Sequence, residues 1–179
     1  GLLDGIEVRF ADTNDAGDSL RKENPLGKIP ALILDDGLVL FDSRVILEWL
    51  DLRAGGGRIL PAEPTARFAA LRLQALADGL ADAALLIVYE GRLRAESERS
   101  PNWLAHQQGK IDRAVDALEA DHPDAEAPLS VGTIALACAL GYLDLRLAGR
   151  WRDGHPGLVA WLDRFAARFP SFDKTRFVP

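Results

Sequence analysis

Apolar positions change rhythm along this chain. Before Gly57 they come in short runs separated by turn residues, and after Pro64 they recur at helical spacing. Ile6 to Phe10 alternates apolar and polar residues, which predicts a half-buried strand. Ala31 to Leu34 is a short continuous apolar run, Asp35-Asp36-Gly37 is a turn, and Leu38 to Phe41 completes a hairpin. Val45, Ile46, Trp49 and Leu50 then repeat as one face of a helix. That helix stops before Ala54-Gly55-Gly56-Gly57, a run too flexible to continue it.

The second half reads as helix almost throughout. Pro64 suits a first helical turn, where its missing N–H costs nothing. Leu73, Leu76, Leu80, Ala84 and Ile87 form the expected apolar stripe. Pro101 starts a second helix with Trp103, Ile111, Val115 and Leu118 inward. Ser130 caps a third, carrying Ile134, Ala137, Cys138, Gly141 and Leu145. Thr133 stands where a capping box has an acid, so the reciprocal bond is expected to be weak or missing. Pro156 opens a fourth, with Leu158, Trp161, Leu162, Phe165 and Phe169 inward and His155 in the turn before it. Leu73, Leu76, Leu80, Ile134, Cys138, Trp161 and Phe165 are the positions expected to be buried. The pattern divides the chain into an α/β segment, 1–57, and an all-α segment, 63–179, joined through a Gly- and Pro-rich linker.

Composition narrows the class. Of 179 residues 48% are apolar and 27% charged, with a net charge of −6, which excludes disorder as the main state. The acidic balance argues against nucleic acid as the principal partner, because phosphate binding needs clustered Lys and Arg. The single cysteine excludes an internal disulfide framework and a multi-cysteine zinc site. His106, His122 and His155 are scattered without ligand spacing, so no metal is expected. No apolar run is long enough to span a membrane, and no basic-then-apolar leader opens the sequence. A reducing, cytoplasmic setting without membrane association is the expectation.

Candidate chemistry gathers around the hairpin. Asn24-Pro25-Leu26-Gly27-Lys28-Ile29-Pro30 precedes it. Pro30 suits the head of a strand and pushes Ile29 towards extended geometry. If the Ile29–Pro30 bond is cis, the bend turns the Ile29 N–H and C=O outward, where an extended peptide can pair with them. The plain alternative is an ordinary loop running into a strand. Asp42-Ser43 opens the following helix, either as a simple N-cap or as a carboxylate site at a helix N-terminus.

These residues resemble the glutathione S-transferase superfamily. The Asn-Pro…Ile-Pro and Asp-Ser pairs carry most of the likeness. Ala75-Leu76-Ala77-Asp78-Gly79 and the stretch Ala135–Arg146 also resemble its bacterial members. The resemblance implies a thioredoxin-like N-terminal domain, a C-terminal helical bundle and a homodimer. It implies a cis Pro30, an Ile29 backbone paired with the cysteinyl unit of glutathione, and Asp42 and Ser43 at the γ-glutamyl end. Lys28 falls where a polar side chain approaches the glycyl carboxylate. The implied activity joins the glutathione thiol, as co-substrate, to electrophilic and mostly apolar small molecules. A glutathione-dependent thiol reductase and a non-catalytic glutathione-binding member are the alternatives. Tyr89, Arg92 and Trp103 are either second-substrate residues or plain surface and core residues. The start at Gly1 resembles the stretch after the family's first strand and helix, whose junction carries the catalytic residue. That residue is therefore expected upstream of Gly1, and the thioredoxin-like domain is read as truncated.

Overall fold

The apolar run after Pro30 folds back on itself as expected. In a computed structural model describing residues 2–177, β1 (Leu32–Ile33) pairs antiparallel with β2 (Val39–Leu40), with Leu32 opposite Leu40 and Ile33 opposite Val39. Gly37 holds the turn at φ +87°, a conformation that a side chain would strain. The Asp36 carboxylate accepts the Leu38 N–H at 3.0 Å. A short helix, α1 (Leu20–Glu23), precedes the hairpin, and α2 (Ser43–Arg53) follows it.

Ile6–Phe10 does not become a strand. No described segment pairs with it, and Val8 and Phe10 are exposed. Alternation supplies a strand face, but without a ladder partner the backbone groups turn to water.

Asp51 closes this first unit. Its carboxylate accepts the N–H groups of Gly57, Arg58 and Ile59 at 2.8, 2.9 and 2.8 Å, and so fixes the glycine-rich run after α2. The residue is buried among the groups it binds.

The chain divides into two compact units, Gly1–Ala62 and Glu63–Pro179. The second is helical: α3 (Pro64–Leu93), α4 (Pro101–Ala120), α5 (Val131–Leu147), α6 (Pro156–Arg168) and α7 (Ser171–Lys174). Each long helix starts with a cap. Glu63 accepts from Thr65 and Ala66, and Ser100 accepts from Trp103. Ser130 accepts from Thr133 at 3.2 Å, while the Thr133 hydroxyl accepts the Ser130 N–H at 3.0 Å. The reciprocal bond thus forms, because a threonine hydroxyl has the lone pair that the expected acid would supply.

The core lies between α3, α4, α5 and α6, centred on Ala77, Leu80, Ala84, Leu136, Leu140, Leu158 and Trp161. Leu80, Trp161 and Phe165 are buried as expected. Leu76 and Cys138 are exposed, and Leu73 and Ile134 are half-buried. The reason is small residues. A Cβ on Gly132 would meet the Ala70 carbonyl at 2.5 Å and the Leu73 Cβ at 2.8 Å, so α5 lies almost against the α3 backbone. The buried seam therefore runs through Ala70, Ala77, Gly132 and Leu136, and it rotates the larger residues outward. Trp103, expected inward on α4, is also exposed.

Candidate functional site

The hairpin brings the two sequence motifs together. Pro30 lies two residues before β1 and Asp42 two residues after β2, at the end of the ladder where Leu32 faces Leu40. Both motifs therefore stand at the open end of one hairpin, where α2 begins.

The Ile29–Pro30 bond is cis, as is Phe41–Asp42. Ile29 is 62% exposed, and its backbone N–H and C=O have no partner among the described residues. Lys28 is exposed beside it. Asn24 lies beneath, 2% exposed. Its amide Nδ2 donates to the Lys28 carbonyl at 2.8 Å, and its Oδ1 accepts the Leu26 N–H at 3.0 Å. Its backbone carbonyl accepts the Gly27 N–H at 2.8 Å, and Gly27 has φ +60°.

Asp42 caps α2, with Oδ1 accepting the Arg44 N–H at 3.0 Å, and it is exposed. Ser43 is the first helical residue and half-buried. The helix start offers backbone N–H groups and partial positive charge, while the carboxylate beside them is an acceptor. A ligand end carrying both a carboxylate and an ammonium finds both complements here.

A hollow lies within the helical unit. Leu86, Tyr89, Leu93 and Trp103 line it, with Glu90 and Arg94 at its edge, and its volume is about 530 Å³. Tyr89 and Trp103 thus come together, and Arg92 is not among the lining residues. Arg94 pairs with Glu90 at 3.2 Å, and Arg99 donates to the Gly91 carbonyl at the end of α3. These arginines brace the α3–α4 turn.

Cys138 faces outward on α5. The packing around its sulfur, and then the Asp78 carboxylate, push its thiol pKa up, which disfavours the thiolate. Among the described residues no group of three His, Cys, Asp or Glu side chains is placed to hold a metal. No described helix is long and apolar enough to cross a membrane.

Residues 1–53 match the glutathione S-transferase N-terminal domain, and residues 101–164 match the C-terminal domain. A GST-like protein of Escherichia coli K12, YibF, is 35% identical over 97% of this chain and 88% of its own length. The chain belongs to the glutathione S-transferase family. A family member from Pseudomonas fluorescens Pf-5, solved with bound glutathione, shares 45% identity and a TM-score of 0.85 over 90% of this chain and 79% of its own. A transferase from Methylobacillus flagellatus KT, also solved with glutathione, shares 36% identity and a TM-score of 0.87 over 97% of this chain and 87% of its own. The α/β unit and the helical unit are thus the thioredoxin-like and all-helical parts of a glutathione S-transferase fold.

Two residues that shape this region escape a pattern reading. Asn24 enters only as part of the Asn-Pro…Ile-Pro resemblance, which says nothing of what its side chain holds. Asp51 carried a clearer sign: an acid in the last turn opposes the helix dipole and therefore calls for N–H partners elsewhere.

Proposed function

We propose that this glutathione S-transferase family member binds glutathione along the open end of the hairpin and joins its thiol to electrophilic, mostly apolar small molecules. The observation that carries the reading is that the Ile29–Pro30 and Asp42–Ser43 pairs flank the same open end of the hairpin, where the exposed Ile29 backbone has no partner among the described residues. The Ile29 backbone pairs with the cysteinyl unit, as one more strand would. Ser43 and the first N–H groups of α2 take the γ-glutamyl carboxylate, and Asp42 takes its ammonium. Lys28 attracts the glycyl carboxylate. Capping and binding coexist at Asp42, because an ionised carboxylate has more lone pairs than the Arg44 N–H uses.

In the reaction the thiol loses its proton to solvent, and the thiolate sulfur forms a bond to the electrophilic carbon. An addition then takes up a proton at the carbon that received the displaced electron pair, whereas a substitution expels its leaving group with the bonding pair. Residues of this chain hold and orient the tripeptide for that attack. The protein works as a cytoplasmic homodimer, following the pattern of its family.

Calorimetric titration with glutathione, run beside a thermal melt, tests the site. Asp42→Asn keeps the capping oxygen and so keeps the melting temperature, while removing the charge that meets the ammonium. Binding is expected to weaken by about 1–3 kcal/mol, the range for a hydrogen bond to a charged group, and Ser43→Ala should do the same. Wild-type affinity in Asp42→Asn would reduce Asp42 to a cap and defeat the assignment.

A further inference from the structure

We propose that Asn24 is the positioning residue that turns the Ile29 N–H towards a bound extended ligand. The inference rests on the glutathione-site reading for the identity of that ligand, but its structural half stands without one.

Peptide planarity supplies the argument. The Lys28–Ile29 bond is trans, so its carbonyl and N–H point to opposite sides of one rigid plane. Asn24 holds the carbonyl side with its amide Nδ2 at 2.8 Å. Asn24 is itself 2% exposed, so the carbonyl is drawn inward. The N–H on the far edge of the same plane must then face outward, away from Asn24. Ile29, 62% exposed, carries that N–H without a described partner.

Every polar group of Asn24 is committed. Its N–H donates to the Leu20 carbonyl at 2.6 Å, its C=O accepts from Gly27, and its Oδ1 accepts from Leu26. These three bonds leave the side chain one orientation, with Nδ2 aimed at Lys28. Leu20, the residue that receives the Asn24 N–H, is buried. The chain of constraint thus runs from buried Leu20 of α1 through Asn24 to the Lys28–Ile29 plane. A loop with several low-energy settings becomes a fixed donor before any ligand arrives, which lowers the ordering cost of binding.

Asn24→Asp tests this with little change in volume. The carboxylate still accepts from Leu26, but it cannot donate to Lys28 and repels that carbonyl. Residual dipolar couplings on the full, ligand-free chain are expected to show the Ile29 N–H vector reoriented, with the vectors of α3 to α6 unchanged. Glutathione affinity is expected to fall about tenfold, the scale of one lost hydrogen bond. The Ile29 amide signal should lose its downfield response at saturating glutathione. Ser43→Ala serves as the control, weakening binding while leaving that response intact. An unmoved Ile29 vector in a folded Asn24→Asp protein would overturn the proposal. If the wild type fails to bind glutathione, the functional reading falls, and the ligand-free vector still decides the role of Asn24. Should Asn24→Asp not fold, the wild type is measured for scalar coupling across the Asn24 Nδ2–Lys28 carbonyl bond. Its absence also overturns the proposal.

Discussion

The two units of this chain are held by different forces. Among the described residues, Gly1–Ala62 buries only two hydrophobic side chains, Leu20 and Leu60, whereas Glu63–Pro179 buries twenty. The first unit instead ties its backbone down with acids and amides: Asp12, Asp15, Asp18, Asn24, Asp36, Asp42 and Asp51 each accept main-chain N–H groups nearby. Such side-chain-to-backbone bonds fix local turns without needing a core. They also leave main-chain groups displayed in defined directions. A surface meant to pair with the backbone of a peptide gains from that, and a bundle that shapes an apolar hollow does not. The second unit gains from packing, which sets side chains with close tolerance.

The largest expected effect probes that contrast in the bundle. Leu140 is fully buried at the centre of the helical core. Leu140→Ala should cost about 2–5 kcal/mol through lost transfer energy and the cavity left behind. Denaturant unfolding followed by tryptophan fluorescence measures it, since Trp151 and Trp161 both lie in that core. A loss of only a few tenths would mean that the bundle is not held by apolar packing.

The polar side of the comparison is tested at Asp51. Burial alone would raise its pKa, but the N–H groups of Ile59, Gly57 and Arg58 outweigh that and hold the carboxyl below its ordinary value. Its stabilising contribution is therefore complete above the unfolded-state pKa of about 4. It is lost as pH falls through the lower folded value. Asp51→Asn leaves Oδ1 for Arg58 and Ile59 but sets an NH2 group against the Gly57 N–H. The expected cost near neutral pH is about 1–3 kcal/mol, and the acid dependence should flatten. Hydrogen exchange at Gly57, Arg58 and Ile59 reads the change locally. Unaltered protection there would show that the glycine-rich run is held by something other than Asp51.

What the sequence disclosed follows the same division. Helices of the second unit were legible because a packed bundle imposes a strong apolar period on Leu158, Trp161, Leu162 and Phe165. The period misled at Leu76 and Cys138, where Gly132 and the alanines let the helices approach along a seam that hydrophobicity alone does not mark. In the first unit the hairpin was legible from its turn residues, and the Ile-Pro and Asp-Ser pairs from family resemblance. The role of Asn24 was not, because it depends on which backbone N–H and C=O its amide meets, and the acid at Asp51 marks a need for N–H partners without saying which ones. Ile6–Phe10 shows the converse, since alternation describes a strand's faces and says nothing about its neighbours.

The smallest expected effect comes from a polar clamp set inside the apolar unit. His155, at the start of α6, places Nε2 at 3.0 Å from the Asp116 carboxylate of α4 and Nδ1 at 2.7 Å from the Trp151 carbonyl. Both partners are acceptors, so only the imidazolium can donate to both at once. The Asp116 hydrogen bond first, with the Trp151 carbonyl adding to it, raises the His155 pKa above its ordinary value. A raised folded pKa means the stabilisation is full below the unfolded value of about 6.5 and drains away as pH climbs through the higher folded one. Its size is limited, because the Asp116 side chain is 71% exposed and water screens the pair; about 1 kcal/mol is the ceiling. Close by, the Glu119 carboxylate caps the start of α6 through Gly157 and Leu158. The N–H of Leu158, the largest influence, holds Glu119 below its usual range. Glu119 therefore stays ionised across the same window. Thermal melts of wild type and His155→Asn from about pH 5 to about 9 separate the two acids. The stability gap between the proteins should be widest at the acid end and close towards the alkaline end. A constant gap would mean that His155 acts through packing alone, in which case even the polar clamp of this unit is held by its apolar core.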